Sequence, residues 1–283
     1  VIDFGNKHDI KSKIGNYEKV DEIPFDYTRK KMSIVVKHQN HYKMITKGAL
    51  EEILKCCTTV KLNDEIQPIT EEMKEKELER LTNLKIIENE LHTKGFKNIC
   101  GIDEAGRGPL AGPVVVAGVI MPADSMIEGV NDSKKVSEKK REQLYEIITN
   151  EAIAYGVGII DQKEIDRINI LNATKEGLTM AVKELTTKPD IIIVDALSKI
   201  DTCGIPYKSI IKGDAKCYSI AAASIIAKVT RDRIMRQWDE IYPQYGFAKH
   251  KGYGTAAHIQ AIKEYGLCPL HRLSFVKNIV NKD

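Results

Sequence analysis

The chain has 283 residues, a formal net charge of +3, 42% hydrophobic residues and 29% charged residues. This length suits one large domain or two smaller ones, and the composition excludes an intrinsically disordered chain. The net charge is too small to indicate a polyanionic partner, so a nucleic-acid surface would have to be a local patch.

No segment indicates membrane insertion or secretion. The most apolar stretch, Pro109 to Ala123, is interrupted by Gly and Pro and is shorter than the roughly 18 residues of a candidate membrane span. The first residues contain no signal-peptide core. The six cysteines form no CxxC pair, which favours reduced thiols over a disulfide framework or a zinc site. We therefore expect a cytoplasmic protein with no membrane partner.

The front of the chain predicts a small α+β segment over residues 1–70. Strand-like runs occur at 32–36 and 42–46, and a helical stretch at 50–57. From residue 69 the composition becomes highly charged and lacks Gly and Pro, with Leu and Ile at helical intervals. Residues 71–94 are thus predicted to be an amphipathic connector helix, either lying on the next domain or solvated as a linker.

Residues 95–283 predict a second domain in which strands and helices alternate. Ser137 suits an N-cap of a helix that runs to about Glu151. Together the pattern indicates an α/β fold, with a mixed sheet covered by helices. Strands are predicted at 98–103, 113–121, 152–160, 189–195 and 207–213, and further helices at 170–185 and 218–242.

Four carboxylates follow three of these strands. Asp103 and Glu104 end the first, Asp195 ends the fourth, and Asp214 follows the fifth. Ligand chemistry in open α/β sheets gathers at the carboxyl ends of strands, so these acids are expected at one edge. Oxygen ligands without His or Cys suit Mg²⁺ or Mn²⁺, and two such ions can clamp a phosphodiester.

Each acid also has a structural alternative. Asp214 could cap a helix, Asp195 could cap a turn, and Asp103 and Glu104 could pair with Arg or Lys. Successive strand residues point to opposite faces. Asp103 and Glu104 can therefore share a site only if the strand bends, or if one of them acts through its main-chain oxygen or through water.

Several long motifs, in order, resemble bacterial ribonuclease HII from about Leu81 to Val280. The resemblance implies an RNase H-like fold and endonucleolytic cleavage of RNA in RNA–DNA hybrids and 5′ of single ribonucleotides in duplex DNA. It implies two Mg²⁺ or Mn²⁺ ions, a 5′-phosphate product, and catalytic roles for Asp103, Glu104, Asp195 and Asp214. We separately expect a monomer. The motifs are GIDEAGRGPLAGPVVVAGVI, NDSKKVSEKKRE, DRINILNAT, IIIVDA, IKGDAKCYSIAAASIIAKVTRDR, YPQYGFAKHKGYGTAAH and LHRLSF.

A ribonucleotide sensor is expected beside the acids. Main-chain groups at Gly106 and Gly108 can approach a sugar closely, Arg107 can hold a phosphate, and the ring of Tyr253 can stack on a sugar or base. The alternatives are an ordinary glycine turn and a core tyrosine. In ribonuclease HII the GRG motif and this tyrosine together recognise the DNA–RNA junction, and this pairing favours HII over ribonuclease HIII.

Basic residues in or near the motifs are candidates for phosphate contacts. We expect Lys134, Lys135 and Lys212 to make them, because a charge run is otherwise typical of a solvated face. Weaker candidates are Lys139, Lys140, Lys228, Arg231, Lys249, Lys251 and Arg272.

Residues from about Glu18 to Ile69 resemble part of the nucleotide-binding domain of a magnesium-transporting P-type ATPase. The motifs are KVDEIPFDYTRKKMSIVV and YKMITKGALEEILKCC. The resemblance implies that Phe25, Lys30 and Lys47 surround ATP; the alternative is one buried Phe and two surface lysines. No DKTGT motif is present, so we expect no ion transport. A natural fusion, an artificial chimera and an assembly error all remain open, and the rival function is an ATP-binding module with the nuclease incidental.

Overall fold

The computed structural model describes residues 18–26, 31–38, 41–48, 53, 55, 57–62 and 65–280. The chain divides into two compact units between Glu79 and Arg80. None of the helices in these ranges is both long and apolar enough to cross a membrane.

The first unit contains a three-stranded antiparallel sheet in the order β1-β2-β3. A hydrogen bond of 2.8 Å joins the hydroxyls of Ser33 and Thr46 across β2 and β3. The strands predicted at 32–36 and 42–46 are thus confirmed, whereas the predicted helix at 50–57 lies outside the described residues except at single positions. The strands are β1 (Glu18–Asp26), β2 (Lys31–His38), β3 (His41–Gly48), and the antiparallel pair β4 (Thr59–Leu62) and β5 (Glu65–Pro68).

The predicted connector helix is two helices separated at Lys85, which are α1 (Glu71–Leu84) and α2 (Ile86–Thr93). The amino group of Lys85 is buried and donates to the carbonyls of Ala123 and, at 2.8 Å, Ser125. Leu91 of α2 packs in one core cluster with Ile99 of the following strand. Helix α2 therefore lies on the second unit, and the solvated-linker alternative is wrong for it.

The second unit is built on a five-stranded mixed sheet in the order β10-β9-β6-β7-β8. The pairs β10–β9 and β9–β6 are parallel, while β6–β7 and β7–β8 are antiparallel. The predicted mixed sheet is confirmed. Its strands are β6 (Ile99–Ala105), β7 (Val114–Ile120), β8 (Ala154–Ile160), β9 (Ile191–Asp195) and β10 (Tyr207–Ile210).

Helices cover both faces of this sheet. On one face, Ile193 of β9 packs with Ile220 of α6; on the other, Ile192 packs with Leu178 of α5. Ser137 caps α3 as predicted, accepting from Lys140 N–H at 3.4 Å. The helices are α3 (Glu138–Glu151), α4 (Gln162–Ile168), α5 (Ile170–Lys183), α6 (Tyr218–Ile241), α7 (Phe247–His250), α8 (Ala256–Tyr265) and α9 (Leu273–Val280).

Candidate active site

Asp103 and Asp195 lie side by side at the carboxyl ends of two parallel strands. Ile102 of β6 pairs with Val194 of β9, so the residue after each reaches the same level of the sheet. Side chains alternate between faces along a strand. Asp103 and Asp195 therefore share the face of α6, since Gly101 of β6 abuts the backbone of Ser219 in α6.

Asp214 reaches the same edge from a short 3₁₀ turn, Gly213–Ala215, that follows β10. The turn is fixed to β9 because Gly213 N–H donates to Asp195 Oδ1 at 2.8 Å. Lys212 enters it with φ of 58°, in the left-handed region. Asp214 does not cap α6, whose N-cap is Cys217. The helix-cap alternative for Asp214 is therefore wrong. The alternative for Asp195, that it caps a turn, agrees with its hydrogen bond from Gly213 N–H.

The carboxylates act on one another electrostatically. Burial raises the pKa of Asp103 well above its usual value, and the charges of Glu104, Asp195 and Asp214 raise it further. The pKa of Glu104 is also raised: burial and the charge of Asp195 raise it, against the charge and hydrogen bond of Arg107, which lower it. The pKa of Asp214 is raised by burial and by its acidic neighbours. Negative charge at this edge is only partly compensated by the protein.

Two cationic side chains face the carboxylates. Arg107 Nη1 lies 3.3 Å from Glu104 Oε1, and Lys134 Nζ lies 3.8 Å from Asp214 Oδ2. Burial lowers the pKa of Lys134, but the surrounding carboxylates raise it by more. The next residue, Lys135, instead lines a cleft of about 480 Å³ together with Asn83. Of the predicted pair, Lys134 thus lies at the carboxylates and Lys135 lies at the cleft.

The donor set fits a hard divalent cation. Its ligands are carboxylate oxygens, which Mg²⁺ and Mn²⁺ prefer, and the raised pKa values of Asp103, Glu104 and Asp214 show the charge that such an ion would neutralise. Within the described ranges, no three His, Cys, Asp or Glu side chains stand close enough together to hold one metal ion.

The glycine-rich turn after β6 is held by two fully buried arginines. Arg272 donates to the carbonyls of Gly106 (2.6 Å), Arg107 (3.0 Å) and Gly112 (2.9 Å). Burial lowers the pKa of Arg272 to about 9, and the nearby charge of Arg231 also lowers it. Arg272 has no room to meet a phosphate, so its assignment as a phosphate contact is wrong.

Arg231 clamps the adjoining segment in the same way. It donates to the carbonyls of Pro113 (2.9 Å), Lys251 (2.8 Å) and Ala111 (3.1 Å). Burial lowers its pKa to about 10. Arg231 is therefore also wrong as a phosphate contact. Lys251 is excluded as well, because its amino group is buried and donates to the carbonyl of Ala248.

The two glycines of the GRG motif have different surroundings. Gly106 has φ of +99°, and a Cβ there would lie 2.2 Å from Arg231 Nε. At Gly108 a Cβ would meet, of the described atoms within 4 Å, Tyr253 Cε1 at 3.9 Å. Gly106 is thus required by packing, whereas Gly108 leaves open surface beside Tyr253.

Tyr253 completes this surface. Its side chain is 43% exposed, and the guanidinium of Arg231 lies 5.8 Å from the centre of its ring. The core-tyrosine alternative is therefore wrong. The fold brings Gly108, Arg107 and Tyr253 to one place next to Glu104, so the predicted sensor and the predicted acids are neighbours.

Three predicted residues are not tested by the structure. Phe25 and Lys47 lie in β1 and β3, but their side chains lie outside what is described, as does Lys30 entirely. In the second unit, sequence reasoning missed Glu88, which is buried in α2 and accepts from Ser219 N–H (2.7 Å) and Oγ–H (2.6 Å) at the start of α6. A Glu on the apolar side of an amphipathic helix was the available signal.

Two protein-family models match the chain, each over a different region. The family model for ribonuclease HII matches residues 100–278, and the model for the P-type ATPase cytoplasmic domain N matches residues 2–96. A ribonuclease HII from Acetivibrio thermocellus is 55% identical over 238 residues, which are 82% of this chain and 92% of that protein. A stretch that covers 82% of the chain is longer than residues 71–283, so it has to begin before residue 71 and therefore includes α1 and α2.

Solved structures share the fold. The ribonuclease H2 of Pyrococcus horikoshii OT3 is 29% identical with a TM-score of 0.56, covering 64% of this chain and 96% of that one. A structure of Bst-RNase HIII in complex with Mn²⁺ has a TM-score of 0.51 at 16% identity, covering 97% and 95%. The second likeness concerns the fold alone.

The mixed sheet, its flanking helices and these likenesses define the RNase H-like fold, and with it the class of ribonuclease H enzymes. The chain belongs to the ribonuclease HII family. It is a type 2 ribonuclease H, an endonuclease.

Proposed function

We propose that this enzyme hydrolyses the RNA strand of RNA–DNA hybrids and nicks 5′ of single ribonucleotides embedded in duplex DNA, leaving a 5′-phosphate. The observation that carries the proposal is that the acidic cluster lies next to the surface formed by Gly108 and Tyr253. Glu104, one of the clustered acids, is bridged to Arg107 at 3.3 Å, and Arg107 is followed by Gly108, which faces Tyr253. A sugar lying on Gly108 would place its phosphate next to the carboxylates.

Asp103, Glu104, Asp195 and Asp214 would hold two divalent ions, Mg²⁺ or Mn²⁺. When bound, such ions activate water and neutralise the departing 3′-oxygen of an in-line displacement. The Mn²⁺ complex of the RNase HIII with the same fold supports a divalent ion, without deciding which one. The chain's own part is to hold Asp195 through the Gly213 N–H bond, and so to keep its second oxygen turned toward the substrate edge.

The ribose is read by backbone and ring together. The 2′-hydroxyl both donates and accepts hydrogen bonds, so main-chain groups around Gly108 can test for it. The exposed ring of Tyr253 supplies a stacking face on the opposite side. The carbonyls of Gly106 and Arg107 are occupied by Arg272, which holds the turn rigid before the substrate arrives.

Phosphates on either side are held by basic side chains. Lys134 stands at the carboxylates, Lys135 and Lys216 line the neighbouring cleft, and Lys212 is exposed on the turn that carries Asp214. Such contacts position the duplex without reading its sequence.

The decisive test of the acidic site is Asp195→Asn. Asparagine keeps an oxygen to accept from Gly213 N–H but cannot supply the charge that a divalent ion needs, so cleavage should fall about 1000-fold or more while hybrid binding persists. Asp190→Asn is the matched control. Asp190 accepts from Lys97 and Asn98 N–H groups at the other end of β9, away from the carboxylates. Preserved turnover in Asp195→Asn would contradict the assignment.

We further propose that α2 works with the catalytic domain predicted at 95–283, and that the enzyme is monomeric. Helix α2 is tied to α6 through Glu88 and Ser219.

For residues 1–70 we propose descent from a P-type ATPase nucleotide-binding domain, supported by the family match at 2–96 and the β1-β2-β3 sheet. Nucleotide binding there stays a prediction: it requires thermal stabilisation by ATP that Lys47→Ala removes.

A further inference from the structure

Two buried histidines form a chain of hydrogen bonds that ends on the main chain of Tyr253. His271 Nε2 lies 3.1 Å from His258 Nε2, and His258 Nδ1 lies 2.9 Å from the Tyr253 carbonyl oxygen. At the far end, Cys268 N–H donates to His271 Nδ1 at 2.9 Å. Both histidine side chains are buried, His258 completely.

The ends of this chain fix every proton in it. The Tyr253 carbonyl can only accept, so His258 must carry its proton on Nδ1 and accept at Nε2. His271 must then donate from Nε2, which leaves its Nδ1 free to accept from Cys268 N–H. The reverse assignment would use the longer 3.2 Å approach of His271 Nδ1 to the Cys268 carbonyl. It would also turn a lone pair of His258 toward the lone pairs of Tyr253 O.

The surroundings of His258 keep its imidazole neutral, as the series of hydrogen bonds from His271 to Tyr253 requires. Its ring stacks on His250 with centroids 4.5 Å apart and meets Phe247 at 5.5 Å and His271 at 5.3 Å. Burial lowers the pKa of His258 to about 4, and the two neighbouring histidines also lower it, against the smaller effect of the Tyr253 carbonyl. Nε2 of His258 therefore stays unprotonated at neutral pH and can accept from His271.

The Tyr253 carbonyl needs its own restraint because the other main-chain bonds of this loop lie before it: Tyr253 N–H donates to the His250 carbonyl at 2.9 Å, and Leu110 N–H donates to the Gly252 carbonyl at 2.8 Å. Tyr253 stands between Gly252, with φ of +83°, and Gly254. Its carbonyl is held by Thr255 N–H at 2.8 Å and by His258. Loss of the His258 bond would leave this carbonyl with one partner, so the peptide unit after Tyr253 could turn more freely and the ring would be placed less firmly beside Gly108.

We propose that His258 and His271 are positioning residues for ribonucleotide recognition: their hydrogen-bond chain fixes the Tyr253 main chain, and through it the ring that meets the substrate. The inference rests on the proposed role of Tyr253. His258 supplies the N–H that donates to the Tyr253 carbonyl, and His271 donates to Nε2 of His258 and so holds its ring in place.

A double-mutant cycle tests the functional part. His258→Leu removes the donor, and His258→Asn keeps an N–H near the position of Nδ1. On duplex DNA with one ribonucleotide, His258→Leu should lower kcat/KM about 10-fold, as expected for one buried hydrogen bond, and His258→Asn should recover most of this loss. In a Tyr253→Ala background, His258→Leu should cost less than about 2-fold more, since coupled sites are not additive.

Full additivity in the two backgrounds would overturn the proposal, because damage to the fold would lower activity whether or not Tyr253 is present. Failure of His258→Asn to recover activity while folding like the wild type would also overturn it. If Tyr253→Ala alone cleaves like the wild type, both the proposed sensor role and the positioning role fail.

The hydrogen-bond chain itself is tested on the unaltered protein by nitrogen-15 NMR of the histidine rings. The expected result is a protonated Nδ1 and an unprotonated Nε2 in His258, with the opposite pattern in His271. The reverse pattern would overturn the chain even if Tyr253 proves essential, so this readout separates the two failures. His271→Gln, which keeps a donor near Nε2, should cleave the single-ribonucleotide duplex nearly as well as the wild type. His271→Leu leaves the buried Nε2 of His258 without a donor and should lose activity; equal activity of the two variants would overturn the role of His271.

Discussion

Alanine substitutions at Gly106 and Gly108 should have opposite consequences although only Arg107 separates the two residues. A Cβ at Gly106 would lie 2.2 Å from Arg231 Nε and 2.7 Å from Pro113 O, on a backbone with φ of +99°. Arg231 cannot step aside without giving up its bonds to buried carbonyls. At Gly108 a Cβ would meet Tyr253 at an ordinary 3.9 Å.

The cost at Gly106 can be estimated from these contacts. The unfavourable φ costs roughly 1–2 kcal/mol, and loss of one hydrogen bond from a charged donor costs about 1.5–3 kcal/mol. Gly106→Ala should therefore lose about 3–5 kcal/mol of unfolding free energy. For a domain of this size each kcal/mol lowers Tm by about 2–4 °C, so a fall on the order of 10 °C is expected.

Gly108→Ala should change the unfolding free energy by no more than about 0.5 kcal/mol. Its methyl group would nevertheless occupy the surface where the ribose is proposed to lie, and displacing a reacting group by about 1 Å can cost roughly 100-fold in rate. Thermal denaturation and single-ribonucleotide cleavage, measured on both variants, check the pair. A stable Gly106→Ala, or a Gly108→Ala that cleaves normally, would refute the reasoning.

Three further outcomes follow from buried ionisable groups. Burial raises the pKa of Asp103, so the folded protein keeps this carboxyl protonated at a higher pH than the unfolded chain does. The contribution of Asp103 to the unfolding free energy therefore declines as pH rises above about 3.8. Asp103→Asn should thus raise the metal-free Tm at pH 7, and Mn²⁺ should raise the Tm of the wild type more than that of the variant. The pKa of His258 is lowered by burial to about 4, so stability should fall as pH drops from about 6.5 toward 4. The Tm of His258→Asn should depend less on pH over that range. Glu88→Ala should cost about 2–3 kcal/mol in urea denaturation, because Ser219 loses its acceptor, whereas Glu88→Gln should cost less than about 1 kcal/mol.

The edge that carries the acids could be predicted from the sequence because strand ends are local features. Asp103 and Asp195 each follow a buried apolar run, and parallel strands bring their carboxyl ends to one edge. Glu104 lies on the face opposite Asp103, as the alternation of side chains along a strand predicts, and its carboxylate pairs with Arg107 at 3.3 Å. How Glu104 shares a site with Asp103 stays a prediction.

Long-range main-chain contacts could not be predicted. Arg231 and Arg272 resemble surface cations in sequence because their partners are carbonyl groups, which every residue possesses. The break between α1 and α2 has the same origin. Lys85 stands in a charged run that favours one continuous helix, and the carbonyls that bind it belong to residues 38 and 40 positions away.

The most direct test of the central claim is cleavage of two matched DNA duplexes, one all-DNA and one with a single ribonucleotide, with and without Mg²⁺ or Mn²⁺. We expect one nick 5′ of the ribonucleotide, a 5′-phosphate on the product, full dependence on the divalent ion, and no nick in the all-DNA duplex. Cleavage of the all-DNA duplex, or nicking of the ribonucleotide duplex with EDTA present, would contradict the account.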